Sequence, residues 1–217
     1  MSDFVGRRFS VANEERILEE QNRIRSVLNS SLDTYFANLF GFNFYSSYSD
    51  SYISPIHRTI VDDTLKNYKN MYVSGDIGVG KTTLLLYTIK RILTKRIEKA
   101  VERFDDDFKS IVEDIAYFHS VEFTSLLLST NYEYLLDLKY LFIDDFGTER
   151  TANDLFISRF DFLVDASYRS GFPIFFITSN LNFEFFRNNS SFARAFDRLG
   201  EKLTLIVLEG LSYRRQG

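Results

Sequence analysis

A glycine-rich octapeptide is the part of the sequence with the clearest chemistry. Residues 75–82 read Gly-Asp-Ile-Gly-Val-Gly-Lys-Thr and match the pattern G-x-x-x-x-G-K-[ST] at every fixed position. Glycines let the backbone bend until its N–H groups point at phosphate oxygens, next to the positive end of the following helix. We expect Lys81 to reach the β and γ phosphates of a nucleoside triphosphate, and the Thr82 hydroxyl to hold Mg²⁺. The predicted binding residues are Gly75, Asp76, Ile77, Gly78, Val79, Gly80, Lys81, Thr82 and Thr83. A plain glycine-rich turn is the alternative, but a chance match in a chain of this length is expected only about once in a hundred chains.

Two consecutive carboxylates form the second candidate site. Asp144 and Asp145 follow the apolar residues 140–143, and an apolar strand that ends in two acidic residues is what a Walker B segment requires. We expect Asp144 to lie by the Mg²⁺ through a water molecule, and Asp145 to orient the attacking water at the γ phosphate. The alternative is a buried strand that ends in a turn, since Asp before an aromatic residue and Gly suits a turn.

Short apolar runs and helical stripes alternate along the chain and predict the elements that position these residues. Strands are predicted at residues 71–74, 116–119, 140–143, 174–178 and 203–208. Helices are predicted from 81 to about 104, at 120–129 and at 151–169, with short helices through 199. Such alternation indicates an α/β fold with parallel strands and helices on both faces of the sheet.

The N-terminal quarter has a different pattern. From Glu14 to about Phe40, apolar residues recur three, four or seven positions apart, which predicts one or two amphipathic helices. Residues 41–55 are dense in Ser, Tyr, Asn and Asp and favour turns. We therefore predict a helical appendage with its joint at residues 1–52 and the α/β domain at residues 53–217.

Composition limits the remaining possibilities. The net charge of −4 lacks the basic excess of proteins that hold duplex DNA by phosphate neutralisation alone, so any DNA contact must be local. The absence of Cys excludes disulfides, a thiolate zinc site and a catalytic thiol. We find neither a signal peptide nor an apolar run of membrane length, and we expect a cytoplasmic protein without membrane contact. His57 and His119 are isolated, and we expect neither to have metal-ligand neighbours.

The segment Ile-Asp-Asp-Phe-Gly-Thr-Glu at residues 143–149 resembles the DnaC, DnaI and IstB branch of the AAA+ ATPases. The resemblance extends over residues 69–214 and implies a P-loop NTPase of the AAA+ (ASCE) type, a three-layer sandwich with a parallel central sheet. It also implies ATP and Mg²⁺ as cofactors and ATP hydrolysis as the activity of residues 53–217. Many AAA+ relatives carry Asp-Glu at the carboxylate pair. Because Asp145 is shorter than Glu, we predict slow hydrolysis that a neighbouring subunit or partner accelerates.

The tetrapeptide Thr-Ser-Asn-Leu at residues 178–181 is similar to the sensor 1 segment of this family. The resemblance implies that Asn180 meets the γ phosphate or its water, and parallel strands do place their carboxyl ends over a ligand crevice. The alternative is that Asn180 or Asn182 caps the short helix that begins near Phe183.

Residues 193–199, Ala-Arg-Ala-Phe-Asp-Arg-Leu, resemble the family segment that carries the arginine finger. Arg198 stands at the finger position and Arg194 one turn before it. The alternative is local pairing of Arg194 with Asp197 and of Arg198 with Glu201 on a solvated helix face. Arg214 lies in a terminal Ser-Tyr-Arg segment similar to the family's, and it is a further candidate for contact with nucleotide or DNA.

The resemblance implies an ATP-dependent loader that places a replicative helicase of the DnaB type on DNA in replication initiation. Single-stranded DNA and further copies of the chain, joined through Arg198, would be its other partners. A transposition helper of the IstB sort, a small metabolite kinase and an adaptor that binds but never hydrolyses ATP remain alternatives. The N-terminal helix could dock in a partner's groove or pack on its own core, and the sequence favours neither.

Overall fold

The computed structural model describes residues 2–40, 53–147 and 153–210, with side chains described from residue 14 to residue 37 in the first of these ranges. Contacts divide the chain into two compact units, Met1–Asp50 with Lys90–Val112, and Ser51–Ile89 with Glu113–Gly217. The predicted domain boundary after residue 52 stays a prediction.

The helices and strands alternate as expected. The helices are α1 Ser2–Phe40, α2 Pro55–Lys66, α3 Lys81–Glu102, α4 Phe108–Val112, α5 Ser120–Leu128, α6 Asp154–Ser170, α7 Phe183–Arg187 and α8 Ala193–Gly200. The strands are β1 Asn70–Gly75, β2 Ile115–His119, β3 Tyr140–Asp144, β4 Ile174–Ser179 and β5 Leu203–Leu208, and a 3₁₀ helix occupies Tyr132–Asp137. Among the described residues, no helix is long and apolar enough to cross a membrane.

The first unit contains α1, α4 and the second part of α3. Apolar side chains of α1 that recur every fourth residue are buried, namely Ile24, Leu28, Leu32 and Phe36. Tyr35 packs edge-on against Phe108 of α4, with ring centroids 5.9 Å apart. The predicted N-terminal helix is therefore confirmed, and it is one continuous helix rather than two.

The second unit contains a parallel sheet of five strands in the order β2-β3-β4-β1-β5. All residues of β3 and β4 are buried, as their near-continuous apolar sequences predict for central strands covered on both faces. The predicted α/β architecture with flanking helices is confirmed. Helix α3 ends at Glu102, two residues before the predicted end near Phe104.

The core of this unit is largely aromatic. Its buried rings belong to Tyr72, Phe123, Phe146, Phe156, Phe160, Phe175, Phe183, Phe186, Phe192 and Phe196. Phe146 follows the two carboxylates directly, and its ring centroid lies 5.2 Å from the rings of both Phe160 and Phe186. Burial of such a ring stabilises the fold by about 1.5–3 kcal/mol. The core therefore anchors the segment that carries Asp144 and Asp145.

Candidate nucleotide-binding site

The glycine-rich loop connects the end of β1 to the start of α3, between Gly75 and Lys81. Gly75 has a φ of 150°, and a Cβ at this position would lie 2.3 Å from the carbonyl oxygen of Leu208 in β5. Only glycine fits this close approach. Gly78 and Gly80 also have positive φ, of 88° and 101°. The loop therefore has the backbone bends that a phosphate cradle requires, at the N-terminus of a 22-residue helix.

Lys81 is 6% exposed and turns back toward the loop. Its Nζ donates to the carbonyl oxygens of Gly75 at 2.8 Å and Asp76 at 2.9 Å. It also donates to Asn180 Oδ1 at 2.7 Å, just beyond the end of β4. These contacts match the three N–H donors of an ammonium group. Two predicted site residues, Lys81 and Asn180, are thus in direct contact.

Asp144 lies at the end of β3 with no exposed surface. Its Oδ2 accepts hydrogen bonds from Thr82 Oγ1 at 2.8 Å and from the Tyr117 hydroxyl at 3.1 Å. Its Oδ1 accepts a hydrogen bond from the Thr178 hydroxyl. We call Thr82, Tyr117, Asp144 and Thr178 the strand-end site. Burial, followed by the charge of Asp144, raises the pKa of Tyr117 well above its ordinary value.

Asp145 lies next to this site in an unusual backbone conformation. Its φ is 58°, a left-handed value that few residues other than glycine adopt. Its N–H donates to Thr178 Oγ1 at 2.9 Å, and the N–H of Phe146 donates to the carbonyl oxygen of Thr178 at 2.8 Å. The segment after β3 is thus bonded to the end of β4.

His119 is not isolated in the structure, so the expectation that it lacks metal-ligand neighbours is wrong. The parallel register of β2 and β3 places His119 opposite Asp144. One potential ligand atom from each of His119, Asp144 and Asp145 lies within 4.8 Å of the others. The sequence did not indicate this group because His119 lies at the end of β2 and the two aspartates lie at the end of β3, far apart in the chain. Tyr117 and Thr178 were missed for the same reason.

The residues fit ATP with Mg²⁺. The loop offers backbone N–H groups, a lysine and a helix N-terminus to phosphates, and Thr82 with Asp144 offers oxygen ligands of the kind that Mg²⁺ prefers. The strand-end site holds its carboxylate with hydroxyl groups rather than with a cationic side chain. A bound cation would therefore find the charge of Asp144 available.

Asn182, not Asn180, caps the helix that follows β4. Asn182 Oδ1 accepts a hydrogen bond from the N–H of Phe185 at 2.7 Å, in the first turn of α7. Asn180 Oδ1 accepts instead from Lys81. Asn180 thus contacts the first residue of the helix that follows the glycine-rich loop, and its sensor role stays a prediction.

Arg194 and Arg198 lie on α8 and pair with carboxylates of α6. Arg198 Nη2 is 2.6 Å from Asp165 Oδ1, and Arg194 Nη1 is 3.2 Å from Asp161 Oδ2. The Arg198 side chain is 22% exposed and that of Arg194 is 66% exposed. In the described part of the chain, Arg198 Nη1 and Asp161 Oδ1 are buried and make no hydrogen bond. We call these four residues the α6–α8 ion-pair cluster.

The acidic partners of the two arginines thus come from another helix rather than from their own. Asp197 pairs instead with Arg187, at 3.0 Å, and Glu201 accepts hydrogen bonds from the Tyr168 hydroxyl. Asp161 and Asp165 stand four residues apart on α6, but the sequence does not show which helix packs against that face. Arg214 lies outside the described residues.

The strand order, the loop after β1 and the carboxylates of Asp144 and Asp145 at the end of β3 give the chain the α/β fold of AAA+ P-loop NTPases. The solved structures most similar to the chain include the DnaC helicase loader, with a TM-score of 0.53 and 16% identity over 76% of this chain and 98% of that one. DnaI matches with a TM-score of 0.53 and 18% identity over 75% of this chain and 92% of that one. AMPPCP-bound DnaA from Aquifex aeolicus matches with a TM-score of 0.52 and 17% identity over 75% of this chain, which spans 51% of the DnaA chain.

No protein-family profile matches the sequence. No curated protein matches it either. Identities of 16–18% establish the fold alone, and at that level the predicted resemblance to DnaC and DnaI is confirmed.

Proposed function

We propose that this chain binds ATP with Mg²⁺ and hydrolyses it slowly. One observation carries the proposal: side-chain hydrogen bonds join the start of the helix after the glycine-rich loop to the carboxyl ends of two strands. Lys81 bonds to Asn180, just beyond β4, and Thr82 bonds to Asp144 at the end of β3. Residues 75–82 would hold the phosphates, and Thr82 with Asp144 would hold the metal. When bound, Mg²⁺ would neutralise charge on the β and γ phosphates.

The remaining polar groups suit hydrolysis. Asp145 can accept a proton or hydrogen bond from a water molecule at the γ phosphate, and Asn180 can orient the same water. Lys81 can exchange its carbonyl partners for phosphate oxygens because those partners belong to the loop that would surround the phosphates. Hydrolysis is expected to be slow in the isolated chain, since the short Asp145 side chain reaches less far than Glu.

Calorimetry with ATP tests the binding. Titration of the full chain with ATP and Mg²⁺ is expected to give a one-site isotherm, and Lys81→Ala is expected to weaken binding at least about tenfold through loss of a charge-assisted contact. Lys99→Ala provides the control, because Lys99 is an exposed residue of the same helix. Absence of heat from folded wild-type protein would refute the proposal.

The role that we propose for this ATPase is the loading of a replicative helicase of the DnaB type onto DNA during replication initiation. DnaC, which the chain covers almost completely, is a helicase loader, and one DnaA structure of the same fold is bound to AMPPCP and single-stranded DNA. Copies of the chain would associate when ATP is bound, with Arg198 supplied to the nucleotide of the neighbouring copy.

For Arg198 to act in a neighbouring copy, it must exchange Asp165 for a phosphate. Its guanidinium already contacts a carboxylate oxygen, and a guanidinium can bind two oxygens of a phosphate in the same bidentate way as two oxygens of a carboxylate. The exposed Arg194 could bind the same anion from one turn away.

A pull-down from native lysate of the host, with and without ATP, tests the role. Recovery of a ring-shaped replicative helicase that increases with ATP is the expected result, and single-stranded DNA is expected to co-purify or to increase the recovery. Recovery of a transposase without helicase would reassign the chain as a transposition helper. Phosphate release measured with helicase and DNA present separates a loader that hydrolyses ATP from an adaptor that only binds it.

A further inference from the structure

Thr178 makes hydrogen bonds to both carboxylate residues through one hydroxyl group. Its Oγ1 donates to Asp144 Oδ1 and accepts from the backbone N–H of Asp145, the latter at 2.9 Å. Thr178 has no exposed surface and lies near the end of β4, which pairs with β3. A hydroxyl group can donate and accept at the same time, whereas an ionised carboxylate only accepts and a backbone N–H only donates.

The backbone of Asp145 needs such support. A left-handed φ of 58° costs about 1 kcal/mol or more for a residue with a Cβ, and it persists only when neighbouring groups determine it. Thr178 supplies two of these constraints, its side chain to the N–H of Asp145 and its carbonyl oxygen to the N–H of Phe146. Because φ fixes the direction of the Cα–Cβ bond, these bonds fix the direction in which the Asp145 carboxylate leaves the chain.

Tyr117 provides an internal comparison. Its hydroxyl also bonds to Asp144, at Oδ2, but it comes from β2, and the structure shows no bond from it to the backbone of Asp145 among the described residues. Removing either hydroxyl therefore takes one hydrogen bond from Asp144. Only removal of the Thr178 hydroxyl also releases the Asp145 N–H.

We propose that Thr178 is the positioning residue that directs Asp145 toward the water at the γ phosphate and orients Asp144 for the metal. The inference rests on the proposed ATPase function and deepens it. Thr178 would act on the hydrolytic step and on the use of Mg²⁺, whereas the affinity for the phosphates themselves would depend on the loop at residues 75–82. A buried threonine that only packs in the sheet would have neither effect.

Thr178→Val is the most direct variant because valine keeps the shape of threonine and removes the hydroxyl. We expect kcat for ATP to fall at least about tenfold, with the Kd for metal-free ATP within about twofold of wild type. The gain in ATP affinity on adding Mg²⁺ is expected to shrink at least about threefold, because Asp144 loses an orienting bond. Thr178→Ser restores the hydroxyl and is expected to return both quantities to within about threefold of wild type.

Two further variants keep the test decisive. Thr178→Ala removes the same hydroxyl without placing a methyl group next to Asp144, and it serves if the valine variant does not fold by circular dichroism. Tyr117→Phe is expected to shrink the Mg²⁺ gain but to lower kcat less than Thr178→Val does, since it leaves the Asp145 N–H bonded.

The inference is overturned if Thr178→Val keeps kcat and the Mg²⁺ gain within twofold of wild type, or if Thr178→Ser is as impaired as Thr178→Val. It is also overturned if metal-free ATP affinity falls in parallel with kcat, which would indicate general damage to the site. Failure of the proposed function has a different signature, because wild-type protein would then bind no ATP at all. If the wild type binds ATP without hydrolysing it, kcat cannot be compared, and the loss of the Mg²⁺-induced gain in ATP affinity in Thr178→Val decides whether the inference holds.

Discussion

The strand-end site and the α6–α8 ion-pair cluster surround their charged side chains with different kinds of partner. The carboxylate of Asp144 is surrounded by the hydroxyl groups of Thr82, Tyr117 and Thr178, which solvate it without cancelling its charge. The guanidinium of Arg198 lies against the carboxylate of Asp165, which does cancel its charge. The first arrangement can accept a cation with little rearrangement, whereas the second must lose a partner before it can bind another anion.

This difference predicts different roles for the two regions in the proposed ATPase. A site held by neutral donors is preorganised for metal and phosphate within one copy of the chain. A guanidinium held by carboxylates is kept in place until a stronger anion competes for it. The Arg198–Asp165 pair is partly buried, and breaking it is expected to cost about 1–3 kcal/mol. This exchange would therefore occur only when a phosphate is presented in good geometry.

The largest effect is expected from removing the charge of the strand-end site. Asp144→Asn keeps one acceptor oxygen for the hydroxyl groups but no longer attracts a cation. We expect the Mg²⁺-induced gain in ATP affinity to disappear and kcat to fall about 10²–10³-fold, with metal-free ATP affinity within about threefold of wild type. ATP titrations in Mg²⁺ and in a chelator measure both affinities.

Asp137→Asn is the matched control for that change, because Asp137 is an exposed carboxylate outside the site. It is expected to behave as wild type. A full Mg²⁺ gain in Asp144→Asn would show that the metal is held elsewhere, and it would remove the first half of the comparison.

In the ion-pair cluster, the two arginines are expected to differ. Arg198→Ala leaves the carboxylates of Asp161 and Asp165 close together and mostly buried, and we expect the free energy of unfolding to fall by about 1–3 kcal/mol. Arg194→Ala removes a guanidinium that is 66% exposed, and we expect a loss within about 1 kcal/mol. Urea unfolding of both variants in the absence of nucleotide measures the difference. Equal losses would mean that burial does not distinguish the two ion pairs.

The sequence predicted those candidate site residues that occur together in short, continuous motifs. The octapeptide at 75–82 and the pair Asp144–Asp145 could be identified because each motif lies within one turn or one strand end. The strands were predictable because buried parallel strands such as β3 and β4 read as continuous apolar runs. The N-terminal helix was predictable from the spacing of its apolar residues.

The sequence could not show which strand ends and which helix faces contact each other. Tyr117, His119 and Thr178 reach Asp144 only through the sheet order β2-β3-β4, which no local pattern specifies. Asp161 and Asp165 reach the arginines only because α6 packs against α8. The candidate site residues could therefore be recognised in local motifs, whereas the partners that hold them depend on the topology of the fold.

The smallest effect is expected from Tyr117 at high pH. Burial and the charge of Asp144 raise the pKa of the Tyr117 hydroxyl above its unfolded value of about 10. Above that pH, the unfolded chain releases this proton more readily than the folded chain does. The unfolded state is then favoured, so stability falls as the pH rises above about 10. Tyr117→Phe has no such proton, and its unfolding midpoint in urea is expected to decline less steeply between pH 9 and pH 11 than that of wild type.

Tyr72→Phe is the comparison variant, because burial also raises the pKa of Tyr72, whose hydroxyl donates to a backbone carbonyl oxygen instead of a carboxylate. The contrary outcome is that the unfolding midpoint of Tyr117→Phe declines as steeply as that of wild type while the midpoint of Tyr72→Phe does not. The Tyr117 hydroxyl would then not be a neutral donor to Asp144, and only the hydroxyl groups of Thr82 and Thr178 would remain to distinguish the strand-end site from the ion-pair cluster.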